Sequence, residues 1–441
     1  MAGRVSRLAQ AIEACPVYST HDHIKPIALL QPFGPARLIA ESYVMRCLRA
    51  PDGSPNSEGS TFSLALTDEW ASAARMVGRV RFTSYYRWLM RGLRDLYDLP
   101  DPDLTERSWK ILLREVPRRA AAPDHIGTVL DRARVDACIW DPYWAAGTYT
   151  VPERRFRPSF RINSTLVAYH PDASDFERSN LIRDWSAHFD IDVRSLAQLE
   201  ELVDRILLAN VAAGCRSLKS ALAYERTLFV GPGRRADALR VFGTPPDRAS
   251  DADRLLFGDY LLRFLLDRAK DLELVIQVHT GIARLDSSNP LLLEGVIREH
   301  PGLVFDLFHG GFPWIHEPAA LAHNYPNVRL NLTWLPQLSS EVAVATLKEW
   351  LQIVPQADRI SWGGDCSTVE ETYGTVLAAK HCVGRALAEL VDDDFMDEET
   401  AIVAARSVLH DGGIAIYGPS PGSAPHLPPR VYEAPAPTAI T

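Results

Sequence analysis

Eight short apolar runs recur along this chain, and most of the gaps between them carry apolar residues at helical spacing. The runs cover residues 17–23, 135–140, 159–163, 215–220, 273–279, 304–309, 328–334 and 360–365. Segments 196–213, 253–270, 291–300, 342–351 and 383–390 read as the helices. Strands alternating with helices pair in parallel, and strands buried on both faces look continuously apolar, as these do. Eight such units predict an α/β fold, a (β/α)8 TIM-type barrel.

One gap breaks the rhythm. Over a hundred residues separate the first run from the second. Within it, 87–97 and 108–118 read as amphipathic helices, and 50–60 is a Pro/Gly/Ser-rich loop. The expected division is therefore a barrel from 1–24 and 130–418, a helical insertion at 25–129, and a flexible Pro/Ala-rich tail at 419–441. The insertion leaves the C-terminal end of a barrel strand, where active sites form, so it is a candidate lid; a stabilising or oligomerisation role is the alternative.

Composition narrows the partners. With 47 basic against 56 acidic residues the net charge is −9, and no basic block appears, so nucleic acid is not expected and a small-molecule substrate is. The apolar runs fall short of the roughly 18 residues that cross a bilayer. The first fifteen residues lack a secretory signal pattern, which makes cytoplasm the expected compartment. Six scattered cysteines without CxxC spacing read as buried thiols rather than a disulfide or zinc framework. A homo-oligomer is expected.

The chemistry sits at strand ends. His21 and His23 are two apart, so on a strand both imidazoles point the same way. Chance alone gives about 0.4 such pairs among 13 histidines, so the pair carries little by itself. The same rim, however, receives Lys219, His279, His309 and Asp365 from the fourth, fifth, sixth and eighth runs. Glycines flank three of them: Gly281, the pair Gly310 and Gly311, and the pair Gly363 and Gly364. Arg161, Tyr224, Arg226 and Trp314 lie near the same ends and are the expected substrate contacts, the two arginines suggesting an anionic substrate. Each of these four has a purely structural alternative. His316 is a minor candidate.

Together, Thr20-His21-Asp22-His23, Ser217-Leu218-Lys219-Ser220, Gln277-Val278-His279-Thr280-Gly281, His309-Gly310-Gly311-Phe312-Pro313-Trp314 and Trp362-Gly363-Gly364-Asp365 resemble the metal-dependent amidohydrolase superfamily. The likeness is strongest to its amidohydrolase-related branch, near uronate isomerases, metal-dependent decarboxylases and the amidohydrolase-like half of fungal glutamine-synthetase-like fusion proteins. Residues 223–226 and 325–328 are similar to that last group. The resemblance implies a divalent metal held by His21, His23, His279 and Asp365, with His309 beside it. If two metals bind, His279 and His309 hold the second and a carboxylated Lys219 bridges them. Zinc suits this nitrogen and oxygen set; manganese and iron suit it too.

The implied reaction is hydrolysis of an amide, lactam or ester-like bond by a metal-activated water. Asp365 would move the proton and His309 would stabilise the developing oxyanion. A metal-dependent decarboxylase or a sugar-acid isomerase on the same scaffold is the alternative. An inactive binding protein and a barrel with incidental histidines are the others.

Overall fold

A computed structural model describes residues 7–46, 66–145, 151 and 153–419. The expected loop at 50–60, and the tail apart from Pro419, lie outside the described residues. Eight parallel strands form one sheet in sequential order: β1 Val17–Asp22, β2 Val135–Trp140, β3 Phe156–Arg161, β4 Ser217–Ser220, β5 Val275–Val278, β6 Phe305–Leu307, β7 Val328–Asn331 and β8 Ile360–Ser361. The sheet closes on itself where Thr20 N donates to Trp362 O and Asp365 N donates to His21 O, at 3.0 and 2.8 Å. This is the (β/α)8 barrel, and the continuous apolar strands are its buried staves.

Several strands end earlier than the apolar runs suggest. His309 and Asp365 adopt positive φ, 64° and 61°, which turns the chain out of extended geometry just past β6 and β8. Such strain at non-glycine residues, about 1–3 kcal/mol each, gathers where structure is held for a purpose. β3 begins three residues before the expected run, and Asn163 belongs to the short helix that follows. Helices extend beyond their clearest apolar stretches; the expected segment 383–390 is the end of the 24-residue helix Val369–Asp392.

The barrel floor is polar and hydrogen-bonded across several strands. The Tyr417 hydroxyl, from the helix Gly412–Tyr417, donates to Asp306 and accepts from Gln277 Nε2 at 3.0 Å. Asn331 Nδ2 joins Asp306 to Thr20 Oγ1, 2.8 Å from each. Burial pushes the Asp306 carboxyl up to about 6.

Between β1 and β2 the described chain is helical, including Tyr43–Arg46, Trp70–Val80, Ser84–Tyr97, Glu106–Ala120 and His125–Ala133. Thr83 and Thr105 cap the third and fourth of these through their side-chain oxygens. The segment packs on Val369–Asp392 through polar ties: Tyr97 and His125 both reach the buried Glu370 carboxylate, at 2.9 and 2.8 Å. Among the described residues no helix is long and apolar enough to cross a membrane. The five described cysteines are free and buried.

Candidate metal centre

The rule of alternating strand faces brings His21 and His23 to one side of the β1 end, both buried. Asp365 meets them from β8, its Oδ1 3.4 Å from His21 Nε2 and 3.2 Å from His23 Nε2. Gly363 and Gly364 allow this approach. A Cβ at Gly363 would lie 2.7 Å from the His21 backbone nitrogen, and one at Gly364 2.5 Å from Asp22 Oδ1.

Hydrogen bonds on the far side of each ring set the tautomers. Gln277 Nε2 donates to Thr20 O and to the Tyr417 hydroxyl, so Gln277 Oε1 is left to accept from His21 Nδ1 at 3.1 Å. His23 Nδ1 donates to Asp141 O at 2.9 Å, His309 Nδ1 to Thr333 O at 3.1 Å, and His279 Nε2 to Ile282 O at 3.2 Å. A carbonyl only accepts, so each ring spends its single N–H there. The remaining nitrogens are lone pairs: Nε2 of His21, Nε2 of His23, Nδ1 of His279 and Nε2 of His309. His21 Nε2 is buried with no hydrogen-bond partner among the described residues. The lone pairs of His279 and His309 face each other at 2.8 Å. Two acceptors that close need a proton on one of them or a cation beside both.

Electrostatics keeps the rings in that state. Burial, with the Lys219 ammonium second, holds His21 well below its usual range. Burial and the neighbouring His309 do the same for His279, and burial brings His309 to about 4. These three imidazoles are neutral at pH 7. For Asp365 burial opposes the charge, but at acid pH, where the rings take up protons, His23 first and the other imidazoles after it outweigh burial and hold the carboxyl well below its usual range. Lys219 stands on the ring of Phe308, 3.8 Å from its centroid, and burial lowers its amine to about 7.

His21, His23, Lys219, His279, His309 and Asp365 thus meet at one mouth, with the Tyr224 ring tilted against His279, 4.6 Å between centroids. The arginines are engaged otherwise. Arg161 donates to Asp141 and Glu177, while Arg226 pairs with Asp259, a residue of the outer helix Asp251–Asp271, at 2.5 Å. Trp314 is half-buried in the loop after β6 and is not among the rings packed on the imidazoles. His316 is exposed and pairs with Glu349 at 2.8 Å.

Other site residues become evident only in the structure. Asp141, directly after β2, lies with His21 and His23 so that one ligand atom from each falls within 4.8 Å of the others. Its Oδ1 is buried without a hydrogen-bond partner among the described residues. Tyr43 donates to Asp365 Oδ2 at 2.5 Å, and its ring stacks with Tyr85 and lies tilted against Trp334. Gln277 orients His21 from below.

Comparisons with known proteins agree with this fold. Protein fluG of Emericella nidulans is 28% identical over 218 residues, which are 45% of this chain but only 25% of that relative's length. The uronate isomerase of Thermotoga maritima superposes with a TM-score of 0.69 at 15% identity, covering 93% of this chain and 96% of its own. The glucuronate isomerase of Caulobacter crescentus gives 0.67 at 15% identity, covering 93% and 92%. At that identity the two structures share the fold. The amidohydrolase family model matches residues 167–432, more than half of the sequence, and the chain belongs to the amidohydrolase family.

Proposed function

We infer that this chain is a metal-dependent hydrolase acting on an amide, lactam or ester-like bond of a small molecule, with His21, His23, His279, His309 and Asp365 as the ligand set. The supporting observation is the convergence of four imidazole lone pairs and one carboxylate oxygen, each ring locked by a hydrogen bond on its other nitrogen. An orphaned buried His21 Nε2 and two opposed acceptors 2.8 Å apart are what a divalent cation would satisfy. Zinc is the proposed ion, since neutral imidazole and carboxylate are its usual ligands.

Such an ion supplies a water acidified toward a pKa of about 7 and an electrophile for a carbonyl oxygen. The chain's own residues do the rest. Asp365 accepts a proton at its Oδ1, while Tyr43 holds the other oxygen and fixes the carboxylate's orientation. His309, its Nδ1 proton committed to Thr333 O, keeps Nε2 as a ligand nitrogen. Tyr224 and Trp334, each against an imidazole, exclude water from the mouth.

The test is metal analysis of protein purified without chelator, followed by chelation, re-addition and product analysis with ester, lactam and uronate substrates. Stoichiometric metal, activity lost on chelation and a hydrolysed product support the reading. An isomerised uronate or released carbon dioxide would replace hydrolysis by the isomerase or decarboxylase alternative. Metal content near zero would end it.

A further inference from the structure

Arg161, the last residue of β3, binds two carboxylates. Its Nε and Nη2 both donate to Asp141 Oδ2, at 3.0 and 2.6 Å, which already neutralises the guanidinium. Its Nη1 donates to a second carboxylate, Glu177 Oε1, at 2.5 Å. The Tyr143 ring stacks against the guanidinium, 4.9 Å from centroid to Cζ. All three charged side chains are nearly buried, at 11% exposure or less, and Arg161 Nη1 holds a carboxylate beyond the one that Nε and Nη2 bind.

The surroundings permit exchange. A cavity of about 350 Å³ opens here, lined by Asp141, Tyr143, Arg161, Glu177, Arg178 and Arg183 among others. Glu177 is presented to it by a tight turn. Asp175 Oδ1 accepts from the backbone nitrogens of Glu177 and Ser179, at 2.9 and 2.8 Å, and Arg183 Nη2 donates to Arg178 O at 2.6 Å. The backbone is thereby pinned, and the Glu177 side chain can leave Arg161 by rotation into the cavity, where Arg178 offers a second cation. The position it would vacate adjoins Asp141, whose carboxylate reaches His21 and His23.

We propose that Arg161 is a carboxylate subsite for the substrate and that Glu177 is its resident intramolecular occupant, displaced when an external carboxylate binds. The proposal rests on the reading of this barrel mouth as a substrate site, and it assigns a carboxylate-bearing substrate to it. Glu177 then acts as a selectivity filter: an uncharged molecule cannot displace it.

Acetate, benzoate and the uncharged benzamide are titrated calorimetrically into wild-type, Glu177→Gln and Glu177→Ala protein, each metal-loaded and chelated. The expected result is a gain of tenfold or more in benzoate and acetate affinity in both variants, with benzamide unchanged, in either metal state. Glu177→Gln soaked with benzoate should show its carboxylate on Arg161 in a crystal structure, and Arg161→Lys in that background should shrink the gain. Unchanged or weaker benzoate binding in folded variants, an equal gain for benzamide, a gain insensitive to Arg161→Lys, or benzoate seated elsewhere would overturn the proposal. The gain together with metal content near zero in protein purified without chelator would retain the subsite and remove the hydrolase reading.

Discussion

His309 Nε2 lies 2.8 Å from His279 Nδ1 while the other nitrogen of each ring donates to a backbone carbonyl. Without a cation, one ring must give up its carbonyl or the lone pairs repel. Zinc at 100 times its Kd should therefore add about 2.7 kcal/mol to the unfolding free energy, the gain expected for a ligand bound only by the folded state. His309→Ala should lose most of it. Urea unfolding with and without zinc is the measurement; an equal zinc gain in wild type and His309→Ala would contradict the assignment.

Gln277 acts from below the centre rather than in it. Gln277→Leu removes the acceptor of His21 Nδ1 and frees that ring to change tautomer. Zinc affinity should fall about 10- to 100-fold, the range typical for loss of an outer partner. Competition with a chromophoric chelator measures this, and circular dichroism checks that the variant is folded.

Gly364→Ala tests the closure of the barrel at its mouth. The new Cβ would sit 2.5 Å from Asp22 Oδ1, so the β8 end and the Asp365 that follows must move. Destabilisation of about 1–3 kcal/mol, the usual range for overpacking, should accompany weaker zinc binding. A variant with wild-type values in both would mean that the approach of β8 to β1 is looser than the structure has it.

Away from the centre, His410 links the C-terminal region to the second strand, with Nε2 2.9 Å from Asp136 and Nδ1 2.6 Å from Asp411. The hydrogen bond to Asp136 leads in raising its pKa above the ordinary value. A raised folded-state pKa means that protonation favours the native form. The contribution is full below about pH 6.5, the unfolded value, and fades as pH rises through the higher folded-state value. Urea unfolding of wild type and His410→Gln across pH 5.5–8.5 should show a difference that shrinks with rising pH. A difference growing with pH would refute the assigned sign.

Histidines and an aspartate at strand ends were legible because barrel topology turns distant positions into neighbours by a rule visible in one dimension. Asp141 obeys that same rule, following β2 as Asp365 follows β8, but the run ending at Trp140 had no histidine to draw attention to it. Tyr43 and Gln277 carried no such signal. One arrives from a separate helical segment, and the other is an interior strand residue whose role depends on where Tyr417 lies. The partners of Arg161 and Arg226 were hidden for a related reason: an ion pair is settled by loops and outer helices whose placement no periodicity reveals.

The hydroxyl of Tyr417 has a bearing on how the protein can be handled. It braces Gln277, which in turn aims the imidazole of His21, so one phenol near the end of the described chain helps steer a ligand delivered by the first strand. Trimming the polypeptide ahead of that tyrosine would flood the bottom of the barrel and let His21 swivel, disabling the cation pocket from the opposite pole of the molecule.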